Sequence, residues 1–339
     1  MSAWEPLAGV TVVDLSQQLP GPFATLLLRT LGARVIKVEP LAGEVGREVD
    51  PPMFRRVNAG KEVVFLDLKS DAGRERLHEL VAGADVFVEG FRPGVAARLA
   101  ADWETLSAIN PRLIYCSLSG FGAGGPLAAA PGHDLNFLAL SGGLPAGLPD
   151  PDALIRVPWV DLASATNAAL LIVTALRDRD TTGLGRRLEL ALVDAAAVWS
   201  NTKLPRAGSE GAYGVFETAD GRRVAVSVLE DAMWLRLCAA FGWTAWGQDA
   251  ELAANDGRRA RAPQIAARVR DEVARRTTDE LTAIALLHDL PITRVNDTAE
   301  VASDAQLAAR DIFPDAGHWR PLGPAAPAVP IALAEEARA

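Results

Sequence analysis

Residues 1–200 predict an α/β domain with a doubly wound, Rossmann-like parallel sheet, and three observations carry that prediction. Short β-branched runs alternate with helix-length stretches, which is the pattern of βαβ units. Several of the runs are almost continuously apolar, as strands must be when helices cover both faces of a parallel sheet. At 339 residues and 49% hydrophobic, the chain can bury a full core, as one large domain or two unequal ones.

In chain order the strands fall at 10–15, 34–38, 63–68, 85–89 and 113–118. Helix-like stretches such as 23–31, 73–81 and 103–108 lie between them. A fold of this kind takes its ligands outside the carboxyl ends of the strands. The pattern changes near residue 200. A polar linker containing Gly and Pro spans 201–212, and then 213–219 and 222–228 read as a hairpin turned by Asp220-Gly221. Helical segments rich in Ala and Arg continue to about Leu287. After them come the loop Leu290-Pro291-Ile292-Thr293, a last helix near 299–309 and a Pro/Ala-rich tail. The expected organisation is a large domain over 1–200, the linker 201–212, a smaller α+β domain over 213–298, and a segment 299–339 that returns to the large domain.

Composition narrows the function. A net charge of −9 and a pI near 5.1 argue against a general nucleic-acid binder. The start, Met1-Ser2-Ala3-Trp4-Glu5-Pro6, has neither the basic nor the apolar region of a secretion signal. The most apolar helical stretch, 162–176, is short for a bilayer and is interrupted by Ser164, Thr166, Asn167 and Thr174. Cys116 and Cys238 have no metal-type spacing and are too few for a disulfide scaffold. The expectation is a cytoplasmic protein with no membrane and no nucleic-acid partner. The glycines of 120–125 are not followed by Gly-Lys-Ser/Thr, so they form no P-loop. G-x-G-x-x-G is also missing from the first strand–helix turn, which argues against a nicotinamide cofactor.

The acid/base groups are more informative. Of four histidines, only His133 sits in a glycine-flanked loop, Gly132-His133-Asp134, between two apolar segments, and Asp161 follows in Trp159-Val160-Asp161-Leu162-Ala163. Histidine titrates near neutrality, so the two groups together suit proton transfer. Each also has a plainer reading. Asp161 could cap the helix opening Leu162-Ala163-Ser164, and a loop histidine could be solvent-exposed or bonded to backbone.

A series of ordered motifs resembles the class III coenzyme A-transferase superfamily (CaiB/BaiF), which includes α-methylacyl-CoA racemases. The matching stretches run from Leu7-Ala8-Gly9-Val10 and Val13-Asp14-Leu15 through Lys37-Val38-Glu39-Pro40, Asn58-Ala59-Gly60-Lys61 and Phe91-Arg92-Pro93-Gly94. Ser119-Gly120-Phe121-Gly122 and Pro131-Gly132-His133-Asp134 follow. The resemblance implies an interlocked homodimer acting on an acyl-CoA thioester, with no cofactor beyond the CoA of the substrate. It implies catalytic roles for His133, Asp161 and Glu230, the last as a partner of the histidine from across the dimer. It also places Lys37, Arg47, Lys61 and Arg92 near the phosphates or adenine of CoA, where charge-assisted donors suit multiply charged groups. Asp134 would orient a neighbouring helix start or backbone amide.

Racemase-like members carry Gly-His-Asp at this site, whereas transferases place an aromatic residue at the histidine position. The resemblance therefore implies a racemase of 2-methylacyl-CoA-type thioesters working by 1,1-proton transfer through an enolate. The alternative it implies is a transferase in which Asp161 attacks the thioester. Helix-start amides near Asp161 would stabilise the enolate oxygen, one such donor being worth about 3 kcal/mol. Two departures bear on the substrate. Leu162-Ala163-Ser164 replaces a run of glycines, and the chain has only three methionines, which points to a smaller or more polar acyl group than a sterol or long branched chain.

Overall fold

The computed structural model describes residues 4–144, 157–200, 210–297, 299–315 and 317–330. The chain forms two compact units, Met1–Thr202 with Asp304–Ala339, and Lys203–Ser303.

The first unit holds a six-stranded sheet. Its strands are β1 (Thr11–Asp14), β2 (Arg34–Glu39), β3 (Glu62–Phe65), β4 (Val86–Glu89), β5 (Ile114–Ser119) and β6 (Arg186–Ala191). Its helices are α1 (Pro20–Thr30), α2 (Gly46–Val49), α3 (Pro51–Val57), α4 (Asp71–Ala82), α5 (Val95–Arg98), α6 (Trp103–Ile109), α7 (Asp134–Leu140), α8 (Trp159–Thr182) and α9 (Leu192–Ser200). All strand pairs are parallel, in the order β3-β2-β1-β4-β5-β6. The order reverses between β1 and β4, and the carboxyl edge beside that point is where such a sheet receives a ligand.

The interior explains this arrangement. β4 is buried at every position and β2 at every position after Arg34, so both need helices on both faces. One face packs Val12, Val35, Val86, Ile114 and Cys116 against α1 and α8. The other packs Val13, Phe87 and Tyr115 against Leu77 and Leu106 of α4 and α6. β6 escaped the sequence reading because it is an edge strand with charges at Arg186, Arg187 and Glu189, and only Leu188 and Leu190 reach the core.

Helix α8 is longer than the apolar stretch 162–176 suggested. It runs 24 residues with a window of mean hydropathy 1.5, long and apolar enough to cross a membrane by those measures alone. Here Ala163, Ala165, Ala168, Ile172 and Ala175 bury against α1 in the core, and Gly183 closes the helix in a left-handed conformation with φ 74°. Both α1 and α8 lead into the amino ends of strands, so both begin at the carboxyl edge.

In the second unit, β7 (Tyr213–Glu217), β8 (Arg223–Ser227) and β9 (Ile292–Arg294) form an antiparallel sheet in that order. The hairpin turns at Asp220-Gly221, where Gly221 takes φ 72°. Helices α10 (Asp231–Ala240), α11 (Thr244–Gly247), α12 (Asn255–Ala260), α13 (Ala262–Val273) and α14 (Thr278–His288) cover the sheet around Trp234, Leu237, Ile265 and Leu281. The loop expected at Leu290-Pro291-Ile292-Thr293 instead enters a strand at Ile292. Three ladder residues are too few to show a period of two in sequence. The expected linker falls mostly in 201–209, outside the described residues. The last helix is Ala305–Ala309, shorter than 299–309. Beyond it, Val329 packs on Leu26 and Ala59 of the first unit.

Candidate active site at the carboxyl edge

Three strands of the large unit end in a buried acid: Asp14 on β1, Glu39 on β2 and Glu89 on β4. What each acid meets determines what it can do.

Asp14 meets cations. Its carboxylate accepts from Lys61 Nζ at 3.0 Å, from Thr25 Oγ1 at 2.6 Å, and from the backbone N–H of Ser16 at 2.9 Å and the Ser16 hydroxyl. Burial alone would raise the carboxyl, but Lys61 and Lys37 outweigh it and hold Asp14 well below the usual range. Lys61, also fully buried, is pushed down to about 8 by its own desolvation. It donates further to Pro22 O at 2.9 Å and Asn58 Oδ1 at 2.9 Å. Lys37 donates to Ser16 O at 2.7 Å and pairs with Glu44 Oε2 at 2.6 Å. Arg47 grips Glu39 with two bonds, at 2.7 and 3.0 Å, and lies over the Phe54 ring at 4.6 Å. These bonds shape the β1–α1 turn, in which Gln18 takes φ 63° and its N–H reaches Glu44 Oε1 at 3.3 Å.

Lys37 and Lys61, which the resemblance places near the phosphates or adenine of CoA, are committed within the protein. Both side chains are fully buried and held by internal acceptors, which leaves no exposed N–H for a phosphate. Arg47 is committed to Glu39 at the rim. Only Arg92 is available: it is exposed, and its guanidinium makes no hydrogen bond or ion pair to the described residues.

The acid/base pair lies on the other half of the sheet. His133 precedes α7 with an extended backbone and an exposed side chain, and its N–H donates to Asn136 Oδ1 at 3.0 Å. The flanking glycine has a steric cause. Phe137 is buried beneath the loop, and a Cβ on Gly132 or on Gly120 would come within 2.8 Å of its ring. Phe121 meets the same ring edge-on at 5.0 Å between centroids.

Asp134 joins the two helix starts. Its Oδ1 accepts the N–H of Val160 at 2.7 Å and of Asp161 at 3.0 Å, so a residue from α7 caps α8. Asp161 is thus not the cap its position suggested; it lies inside the first turn, because the helix begins at Trp159. Burial pushes the Asp161 carboxyl up to about 7, and the neighbouring Asp134 charge adds to the rise. Together these outweigh the stabilisation that a helix N-terminus gives an anion. The helix-start amides are also unavailable as oxyanion donors. Those of Val160 and Asp161 are taken by Asp134, and those of Trp159 and Leu162 by Val157 O and Pro158 O. Glu230 lies in the second unit, exposed, immediately before α10.

Two features escaped the sequence reading. Glu89 is one; its signal is an acid ending the apolar run Val86-Phe87-Val88. The other is an apolar crevice of about 260 Å³ outside β1, β2 and β3, lined by Leu15, Val38, Pro40, Leu66, Phe91 and Leu99. No group of three or more His, Cys, Asp or Glu side chains suited to a metal ion occurs among the described residues.

Known proteins share this architecture. The chain is 34% identical to the acetyl-CoA:oxalate CoA-transferase of Acetobacter aceti, covering 92% of this chain and 86% of that protein. It is 35% identical to the human alpha-methylacyl-CoA racemase over 70% of this chain and 65% of that one. A crystal structure of a CAIB/BAIF family protein from Brucella suis superposes with a TM-score of 0.78 at 30% identity, covering 91% and 88% of the two chains. The model of CoA-transferase family III matches residues 7–339. With a Rossmann-order sheet, an acid-lined carboxyl edge and a family match along nearly its whole length, the chain belongs to CoA-transferase family III.

Proposed function

We propose that this family member is an α-methylacyl-CoA racemase-like enzyme, a cytoplasmic homodimer that epimerises 2-methylacyl-CoA-type thioesters with no cofactor other than the substrate's own CoA. The observation that carries the reading is the meeting of two helix starts through Asp134, one presenting His133 and the other Asp161, pushed up to about 7. A group that titrates near working pH is suited both to give and to take a proton. In this reading one of the pair removes the α-proton and the C–H electron pair moves into the thioester carbonyl. The other then delivers its own proton to the opposite face, so the substrate carbon is inverted and both groups have exchanged charge states. The apolar crevice suits the adenine end of CoA, and Arg92 suits its phosphates. Glu230 of a partner subunit would assist His133. Exposed apolar side chains at Trp159, Leu170 and Leu171 on α8 and Trp199 on α9 are consistent with a covering partner.

A second reading has its own support. The oxalate CoA-transferase aligns over 92% of the chain, against 70% for the racemase. There Asp161 would attack the thioester carbonyl, expel the CoA thiolate and form a mixed anhydride for an acceptor acid to resolve. Incubation with a 2-methylacyl-CoA in D₂O distinguishes the two. Deuterium appearing at the α-carbon without an acceptor acid is the racemase result. Transfer that requires an acceptor and leaves the α-proton in place would replace it with the transferase.

A further inference from the structure

Phe91 stands between two cavities. It lines the apolar crevice of about 260 Å³ together with Leu15, Val38, Leu66, Leu68 and Leu99. Behind it is a polar cavity of about 180 Å³ bordered by Glu89, Arg92, Ser117 and Arg187. A residue that borders two cavities defines a ligand wall only if something fixes its backbone. Glu89, 3% exposed at the end of β4, is placed to do so: its Oε2 accepts the Phe91 N–H at 2.7 Å. The other oxygen lies 3.3 Å from the Tyr115 hydroxyl, which also reaches Ala101 O at 3.2 Å. Tyr115 is itself fixed, stacked on Phe87 at 5.3 Å and meeting Trp103 edge-on at 6.1 Å. The strand end, the phenol and the turn at Phe91 thus form one braced unit.

We infer that Glu89 is a positioning residue for CoA binding: it anchors Phe91 as the wall of the crevice. The inference rests on the proposal that this crevice takes the nucleoside end of CoA. Its signature is non-additivity, because removing the anchor matters only while the ring is present.

The experiment is a calorimetric double-mutant cycle with free CoA. Glu89→Leu keeps bulk but leaves the Phe91 amide without its acceptor, which at the cost of an unmade buried hydrogen bond should weaken CoA about tenfold. Phe91→Ala should weaken it comparably, and the double variant by no more than Phe91→Ala alone. Glu89→Gln retains an acceptor oxygen and should bind within about threefold of wild type by the same reasoning. Thermal melts confirm that each variant is folded. If the leucine variant does not fold, Glu89→Ser, too short to reach the amide, replaces it in the cycle. Additive losses, or a Glu89→Leu variant that binds CoA normally, would overturn the role of Glu89 while leaving the function intact. A wild-type protein that takes up no CoA would defeat the proposed function, and this inference with it.

Discussion

Asp14 and Asp161 lie in the same large unit, one fully buried and the other partly so, yet they are opposite in character. Asp14 lies among Lys61, Lys37 and two hydroxyls and is held ionised. Among the described residues no cation pairs with Asp161; burial, with the negative Asp134 as a neighbour, pushes it up to about 7. Burial raises both; the sign of the nearest charge decides which aspartate braces the fold and which can exchange a proton.

The strongest way to break this contrast is to remove the chemistry from one side and the fold from the other. Asp161→Asn should lower epimerisation by about two to four orders of magnitude, the usual span for a lost acid/base group, while CoA affinity changes little. Racemisation at near-normal rate in that variant would remove Asp161 from the mechanism. Asp14→Ala should cost about 3–5 kcal/mol of stability, since it leaves Lys61 buried without its partner. Urea unfolding measures the loss, and a cost below about 1 kcal/mol would show the buried network to be as weak as a surface pair.

Asp134→Asn sharpens the comparison by altering the neighbour alone. The amide oxygen can still cap α8, but the charge beside Asp161 is gone, so its carboxyl should fall from about 7 toward the ordinary value. The acidic limb of the pH–rate profile should move to lower pH. An unmoved limb would assign the rise to burial alone. Linkage gives the sign of a companion effect. Because the folded carboxyl of Asp161 is raised from 3.8 to about 7, the stability tied to it is complete below the unfolded value and is lost as pH climbs through about 7. Asp161→Asn should therefore be more stable than wild type above neutrality, with the advantage disappearing near pH 4. The smallest expected change is for Arg92→Ala. It should raise KM severalfold with little change in kcat, because a contact remote from the reacting carbon binds ground and transition states alike.

How much of this was legible in sequence follows from the same physics. The five apolar runs revealed the sheet, since burial on both faces leaves its mark residue by residue. β6 and β9 stayed hidden, one an edge strand carrying alternating charge and the other three residues long after a proline. Lys37 and Lys61 looked like ligand-binding cations because nothing local marks a buried lysine. The acid that pairs with Lys61, Asp14, is 47 residues away in the chain. Likewise His133 and Asp161 could be singled out by residue type. That Asp161 is buried there, and that Asp134 turns toward the start of α8 and adds to its rise, are tertiary facts.

The seat of His133 has a consequence for how such a protein can change its trade. The histidine side chain is exposed, whereas Gly132 and Gly120 both lie hard against the ring of Phe137. Chemistry and architecture are thus assigned to different codons. Replacing exposed His133 would exchange the reactive group while leaving the glycine–phenylalanine contact in place, whereas a single methyl group added at Gly132 would press within 2.8 Å of the Phe137 ring and displace the seat, whatever reaction its occupant was meant to perform.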